Sequence, residues 1–131
     1  MFIDASAMVS MMTGESDSRY LAARMELSES RMTSPTAVWE TAVNVARILK
    51  LSIPEAASAV EEFLALASIE LIQLPPPVAF LALDAYDRYG KSRHPANLNF
   101  GDCFAYACAR HYRVPLLYKG NDFPQTDIEA A

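Results

Sequence analysis

Cysteine and histidine, the residues of thiolate metal sites and disulfides, are scarce in this chain of 131 residues, and long apolar runs are missing. Two cysteines and two histidines are too few for the clustered spacing of a zinc site. Cys103 and Cys108 lie five residues apart in a predicted helix, on different faces, so they are expected to be buried free thiols rather than a disulfide. No apolar run approaches the roughly 20 residues of a membrane span.

The N-terminus, Met-Phe-Ile-Asp, lacks the basic region and apolar stretch of a signal peptide, so we expect a cytoplasmic protein with no membrane association. Positive charge is also scarce, because 11 Lys and Arg stand against 16 Asp and Glu, for a net charge of −5. This balance is unlike the basic footprint of most nucleic-acid-binding proteins. The acidity should therefore lie at a metal site or face a basic partner.

The residues that are abundant are apolar, at 52% of the chain, which predicts a single domain over 1–131 with one sizeable core. Short apolar segments alternate with segments of helical periodicity. The predicted strands are 2–4, 31–34, 69–74 and 115–118, with a short last strand near 127–128; the predicted helices are 5–12, 16–29, 34–49, 54–67, 77–89 and 101–113. This alternation predicts an α/β fold with a mainly parallel sheet, each short apolar strand being buried on both faces.

Four acidic residues occupy informative positions in this scheme. Asp4 ends the first strand, Asp122 follows the last clear strand, Asp102 lies in the first turn of the buried helix, and Glu40 lies in the second turn of the helix that begins at Ser34. The carboxyl ends of parallel strands face one side of a sheet, where ligands bind. If the four converge, their repulsion requires a cation, and an all-oxygen site selects Mg²⁺ or Mn²⁺. Phosphodiester hydrolysis is the natural reaction of such a site.

Each of these acids also has an ordinary explanation. Asp4 could cap the following helix, and Asp102 would be favoured at any helix N-terminus. Glu40 could lie on a solvated helix face, and Asp122 could be a turn aspartate. The metal-site hypothesis therefore depends on the joint positions of the four residues.

Four segments carry a resemblance to a known family: Phe-Ile-Asp4-Ala-Ser6-Ala, Val38-Trp39-Glu40-Thr41, residues 99–107 around Gly101-Asp102, and residues 115–123 around Asn121-Asp122. In order and spacing they resemble the motifs of PIN-domain ribonucleases, and the length is typical of VapC-type toxins, including the FitB-like branch. The resemblance covers essentially the whole chain, and the third segment is its most specific part.

The resemblance implies a three-layer α/β/α domain with a central, mainly parallel sheet. It implies that Asp4, Glu40, Asp102 and Asp122 form the acidic site for Mg²⁺ or Mn²⁺. It also implies a hydrolase, an endoribonuclease that cuts single-stranded or structured RNA as the toxin of a toxin–antitoxin pair. The expected partners are an RNA substrate, a second copy in a homodimer, and a cognate antitoxin that inserts a segment near the active site.

Several finer assignments remain open at this stage. Ser6, Asn121, Thr126 and Asp127 are candidates for supporting the site, and either Asp122 or Asp127 could complete the acidic set. Lys91, Arg93 and Lys119 are the candidate RNA-binding residues, since they lie in a basic loop and beside the fourth motif. The number of metal ions is not determined by the pattern.

Two other functions stay in competition with the nuclease. The first is a catalytically inactive PIN-like module that binds a protein, in which the acids are caps and helix 54–67, with Val60, Phe63 and Leu64 at helical spacing, is the partner surface rather than core. The second is an aspartyl-phosphate enzyme built on Asp4. The segment after Asp4 lacks the second aspartate of the haloacid dehalogenases, and the pair of N-terminal acids of a receiver domain is missing too.

Overall fold

The computed structural model describes all residues, Met1–Ala131. Each of the first three strands is followed by two helices, in the order that the periodicity predicts. In chain order the elements are β1 (Phe2–Ile3), α1 (Ala5–Thr13), α2 (Ser18–Glu26), β2 (Met32–Thr33), α3 (Pro35–Leu49), α4 (Ile53–Leu66), β3 (Glu70–Leu71), α5 (Pro77–Tyr89), α6 (Phe100–Tyr112) and β4 (Leu116–Leu117), with a short 3₁₀ turn at Phe123–Gln125.

The four strands form one parallel sheet in the order β3-β2-β1-β4. β1 is central, and Phe2 is in register with Met32 on one side and with Leu116 on the other. One further hydrogen bond, from the Asp4 amide to the Leu117 carbonyl at 2.9 Å, fixes the backbone where β1 ends. The predicted parallel sheet is confirmed, and its carboxyl edge carries the start of α1.

Successive residues of β1 supply the two faces of the sheet, because side chains alternate along a strand. Phe2 packs with α5 and α6, and Ile3 packs with residues of α1, α2, α3 and α4. Helices therefore cover both faces, and the expected three-layer α/β/α architecture is confirmed. Cys103 and Cys108 are both buried and free, as expected of small core residues.

Local sequence explains where the two helices that matter most for the site begin. α3 starts at Ser34, whose Oγ accepts from the Ala37 amide, and Pro35 suits the first helical position. α6 starts with a capping box in which the Asn99 side chain accepts from the Asp102 amide at 2.9 Å and the Asp102 carboxylate accepts from the Asn99 amide at 3.0 Å.

Three expectations were wrong in detail. No strand forms at 127–128, and only a single bridge joins Leu116 to Ala130, because one pair of hydrogen bonds ties the chain end to β4. β3 is not buried on both faces: Glu70 and Leu71 are exposed, since β3 is an edge strand. The second helix is shorter than predicted because the polar Ser28–Ser30 segment leaves it. In α4, Val60 and Leu64 are core residues, so these two positions pack inside the domain and are not part of a partner surface.

A candidate metal-dependent active site

One cleft of about 350 Å³ lies beside the carboxyl ends of β1 and β4. Its charged lining comprises five carboxylates and two cations, and we call it the acidic cleft: Asp4, Glu15, Glu40, Asp102 and Asp122 with Arg47 and Lys119. The four acids singled out from the sequence are thus brought together from β1, α3, α6 and the segment after β4. Glu15, from the connection between α1 and α2, is an addition to them.

Asp4 is the deepest of these acids, at 3% exposed. Its Oδ2 accepts from the Ser6 amide at 3.0 Å and from the Ser6 hydroxyl at 2.5 Å, so Asp4 caps α1 and Ser6 donates both hydrogen bonds to this oxygen. Burial raises the pKa of the Asp4 carboxyl, and the hydrogen bonds from Ser6 and Ala5 offset part of that rise. Capping and lining the cleft are therefore compatible roles for one side chain.

Asp102 lies at the third position of α6 and is partly buried. Burial is the main reason that the pKa of its carboxyl is raised to about 7; the charges of Asp4, Glu40 and Asp122 contribute to this rise, and the hydrogen bond from the Asn99 amide works against it. Three neighbours thus act on Asp102 electrostatically. A site that holds several carboxylates this close favours the binding of a positive ion.

Glu40 projects from α3 toward the start of α6. Burial raises the pKa of its carboxyl, and the charge of Asp4 adds to the rise. Gly101 explains how the two helices meet here, since a side-chain carbon at that position would overlap the Glu40 carboxylate. Asn44 and Arg47, one and two turns along α3, also line the cleft, so the polar stripe on α3 faces the site rather than open solvent alone.

Asp122 lines the acidic cleft as an exposed residue at the start of the 3₁₀ turn, and its side chain makes no capping hydrogen bond. The other two residues proposed to support this part of the site, Asn121 and Thr126, make hydrogen bonds within the same segment. The Asn121 carbonyl accepts from Gln125, and the Thr126 hydroxyl donates to the Phe123 carbonyl; neither residue lines the cleft.

Asp127 lies outside the cleft, in a separate group that we call the Asp127 cluster: Asp127, Tyr106, Arg88 and Arg110. Its carboxylate accepts from the Tyr106 hydroxyl at 2.7 Å, from Arg88 at 3.1 Å and from Arg110. Burial works to raise the pKa of Asp127, but the bonds from Tyr106 and Arg88 and the charges of both arginines bring it down to about 2. Of the two candidates for the fourth acid, the structure brings Asp122 to the cleft and leaves Asp127 engaged elsewhere.

The candidate RNA-binding residues are also divided. Lys119 lines the acidic cleft, where its ammonium pairs with Glu15. Arg93 bonds Asp87 at 2.8 Å and lies over the Tyr86 ring, and Lys91 is exposed beside it; neither lines the cleft. Glu15 had no signal in the sequence, because Gly14-Glu15 has the composition of an ordinary solvated turn.

The donor set of the cleft fits a hard cation, since carboxylate oxygens without thiolate or imidazole are the preferred ligands of Mg²⁺ and Mn²⁺. No three of the acidic groups stand close enough to enclose one ion directly. This arrangement suits an ion that is held by one or two carboxylates and retains several waters, which is the usual behaviour of Mg²⁺ in proteins.

The chain is similar to known proteins over nearly its whole length. The family model of the PIN domain matches residues 1–129. The chain belongs to the PIN-domain family. Ribonuclease VapC30 of Mycobacterium tuberculosis is 37% identical over 129 residues, which cover 98% of this chain and 95% of that protein. Ribonuclease VapC of Mycolicibacterium smegmatis is 37% identical over 131 residues, which cover 99% and 98% of the two chains.

Among solved structures, this PIN domain is similar to the Mycobacterium tuberculosis protein VapC20, which is described as a toxin that cleaves the sarcin-ricin loop. The TM-score is 0.75 and the match covers 99% of this chain and 97% of that one, at 16% identity. At this identity the likeness supports the fold alone. The resemblance of the chain to VapC-type PIN domains is confirmed. None of its helices has both the length and the apolar character that a membrane span requires.

Proposed function

We propose that this PIN domain is a metal-dependent endoribonuclease, the toxin of a toxin–antitoxin pair. The observation that carries the proposal is the convergence of Asp4, Glu40, Asp102 and Asp122 from distant parts of the chain on one cleft at the carboxyl edge of the sheet. The substrate class rests on the ribonuclease names of the VapC relatives. Because the relatives are named ribonucleases, we also propose the cytoplasm as the place where this protein acts.

In the proposed mechanism, Asp4, Asp102 and Asp122 would hold Mg²⁺ or Mn²⁺, directly or through water. The ion would lower the pKa of a bound water and neutralise charge on the phosphate. Glu40 either assists in holding the ion or takes the proton of the attacking water on its carboxylate, a role that its raised pKa favours. In-line attack of this water on phosphorus would break the P–O3′ bond and leave a 5′-phosphate, and the departing 3′-oxygen would take a proton from solvent to become a 3′-hydroxyl.

RNA binding to so acidic a protein should be weak and selective. Within the cleft only Arg47 and Lys119 can meet backbone phosphates, and Lys91 and Arg93 lie farther out. Affinity for RNA in general depends on how many phosphates basic side chains neutralise. We therefore expect recognition to depend on RNA shape or on unpaired bases rather than on charge.

The exposed apolar side chains of α5 and of the starts of α3 and α6 support a homodimer. Phe80 and Phe100 are 74% and 71% exposed, and Trp39 and Leu83 are similarly uncovered. Two neighbouring apolar grooves both include Phe100, so the surface is continuous. Contiguous apolar surface of this kind marks interaction sites, and a second copy is the occupant that the VapC resemblance implies. Phe80→Glu should convert dimer to monomer in light scattering.

The proposed antitoxin would bind at the acidic cleft. Five carboxylates around two cations leave a negative opening, which a basic protein segment fits by charge. Such a segment would exclude both metal and RNA from the same place. A purified candidate antitoxin should therefore inhibit cleavage in proportion to its binding. Binding that leaves cleavage untouched would contradict this part of the proposal.

A catalytically inactive protein-binding module remains the second candidate, favoured by the capping bonds that Asp4 and Asp102 make on their own helices. A panel of single-stranded and hairpin RNAs, incubated with the protein in Mg²⁺, Mn²⁺ or EDTA, separates the two. The proposal predicts cleavage with either ion, none in EDTA, and at least about 100-fold slower cleavage by Glu40→Gln. Metal-supported binding of RNA without cleavage would favour the inactive module, and cleavage that persists in EDTA would refute metal dependence.

A further inference from the structure

Lys119 is fixed to the acidic cleft by its backbone. Its amide donates to the Ser6 hydroxyl at 3.0 Å, and that hydroxyl donates to Asp4 at 2.5 Å. The residue lies two positions after β4 and three before Asp122. Its long side chain, whose charged end is mobile by nature, thus starts from a point tied to the deepest acid of the cleft.

The Lys119 ammonium is occupied by acids from the other side of the opening. It pairs with Glu15, and Asp17 Oδ1 lies 3.7 Å away. Asp17 is itself held by the Ser10 hydroxyl at 2.5 Å. Both acids come from the connection between α1 and α2, about 100 residues away in sequence. Glu15 is the one that lines the cleft.

Arg47, the other cation of the cleft, provides a contrast. Its guanidinium donates to Asn44 Oδ1 at 3.2 Å and forms no ion pair. One cation of the cleft is therefore available to a phosphate, while the other is paired. The Lys119–Glu15 pair is half-exposed, at 38% and 32% of the two side chains, and pairs of that exposure are weak enough to be exchanged for another anion.

Resting on the proposed ribonuclease function, we propose that Glu15 is a positioning residue that competes with RNA phosphate for Lys119. Glu15 holds the ammonium in the free protein, and a backbone phosphate of correctly seated RNA replaces it. RNA that meets the cleft without delivering a phosphate at this point gains nothing from Lys119. Glu15 thereby lowers the affinity for any RNA that uses Lys119, because such RNA must first displace the ion pair.

Opposite effects of two substitutions test this competition. Glu15→Gln should bind single-stranded RNA about 1.5 to 5 times more tightly at low salt, the range that a weak exposed ion pair allows, and Lys119→Met should bind it more weakly. Anisotropy of a labelled 12-nucleotide RNA in Ca²⁺ measures both. Glu61→Gln and Lys50→Met are matched controls, because they change net charge equally at exposed positions outside the cleft.

A purely structural tie between Glu15 and Lys119 would give a different pattern. Breaking it from either side would loosen the same connection, so both variants would bind RNA more weakly and melt earlier. Competition predicts in addition that the double variant behaves like Lys119→Met alone. It also predicts that the gain from Glu15→Gln disappears as salt screens the pair. The salt slope of Lys119→Met should be smaller by about 0.7, the contribution of one phosphate contact to single-stranded RNA.

The outcomes separate this inference from the function on which it rests. If the wild-type protein neither binds nor cleaves any RNA, the proposed function fails and the inference fails with it. If the wild-type protein cleaves RNA but Glu15→Gln binds no more tightly than Glu61→Gln, or binds more weakly, the competition is refuted and the ribonuclease stands. Tighter binding by Glu15→Gln than by Glu61→Gln, with KM lowered by a larger factor than any change in kcat, supports it.

Discussion

The acidic cleft and the Asp127 cluster each contain an aspartate, but their surroundings shift the pKa of its carboxyl in opposite directions. Asp127 is met by two guanidiniums and a tyrosine hydroxyl, and the pKa of its carboxyl falls to about 2. Asp102 is partly buried near three other carboxylates, and the pKa of its carboxyl therefore rises to about 7. In the Asp127 cluster, arginines of the protein neutralise the carboxylate. In the acidic cleft, the excess negative charge requires a cation from solution. That difference is what distinguishes a structural ion pair from a binding site.

The largest expected contrast between the two regions is in catalysis. Asp102→Asn should keep its capping bonds, since an amide oxygen can still accept from Asn99, but it removes a charge from the cleft. RNA cleavage should fall at least about 100-fold, because losing even an indirect partner of a metal costs 10- to 100-fold. Asp127→Asn is the matched control and should cleave RNA within about twofold of wild type. Equal activity of the two variants would erase the distinction between the regions.

The next contrast is in how stability depends on pH without metal. Because the folded state holds a proton on Asp102 up to about pH 7, and an unfolded aspartate only to about 3.9, this group stabilises the fold below pH 4 and loses that contribution as pH rises to 7. Denaturant unfolding in EDTA should therefore show a falling free energy of unfolding over that window. Asp102→Asn should flatten it; an unchanged slope would mean that burial does not hold the proton there.

Asp127 should give the opposite slope at lower pH. Its carboxyl ionises more readily in the folded state, so its contribution is present above about pH 4 and is lost as pH falls toward 2. The effect should be small because the side chain is 43% exposed and solvent screens its ion pairs. Asp127→Asn should flatten only this acid limb in the same titration. A change confined to neutral pH would contradict the assignment.

The smallest expected effect is the stability cost of the Asp127 cluster at neutral pH. Tyr106→Phe keeps the buried ring but removes the hydrogen bond to Asp127 and the two longer ones that the hydroxyl accepts from Arg88 and Arg110. The free energy of unfolding should fall by about 1 kcal/mol, since both arginines keep Asp127 as a partner. Activity should be unaffected, because the cluster lies outside the cleft. A loss of activity without a loss of stability would connect the cluster to catalysis and weaken the contrast.

The fold was predictable where local signals agree with the tertiary structure. Ser34-Pro35 places the start of α3, and small apolar residues predict the buried α6. The order of strands and helices also follows from periodicity. The failures fall at edges: a strand near 127–128 and a fully buried third strand were expected, and whether a short segment lies at an edge depends on its neighbours in the sheet.

The candidate site was predictable only as a set of positions. Strand ends identified Asp4 and Asp122, and the motif around Gly101-Asp102 identified the third acid. Glu15 could not be found, because its relation to Lys119 joins residues 104 apart and leaves no local pattern. The choice between Asp122 and Asp127 likewise required the arginines and the tyrosine that engage Asp127, which come from α5 and α6.

The central claim is that the cleft carboxylates together bind a divalent cation, and thermal melting with Mn²⁺ tests it most directly. Mn²⁺ at 100 times its dissociation constant should stabilise the folded protein by about 2.7 kcal/mol, because an ion that binds only the folded state shifts unfolding by mass action. The account predicts a melting temperature that rises with Mn²⁺ in the wild type and in Asp127→Asn but not in Asp102→Asn. An equal rise in all three proteins, or no rise in the wild type, would contradict it.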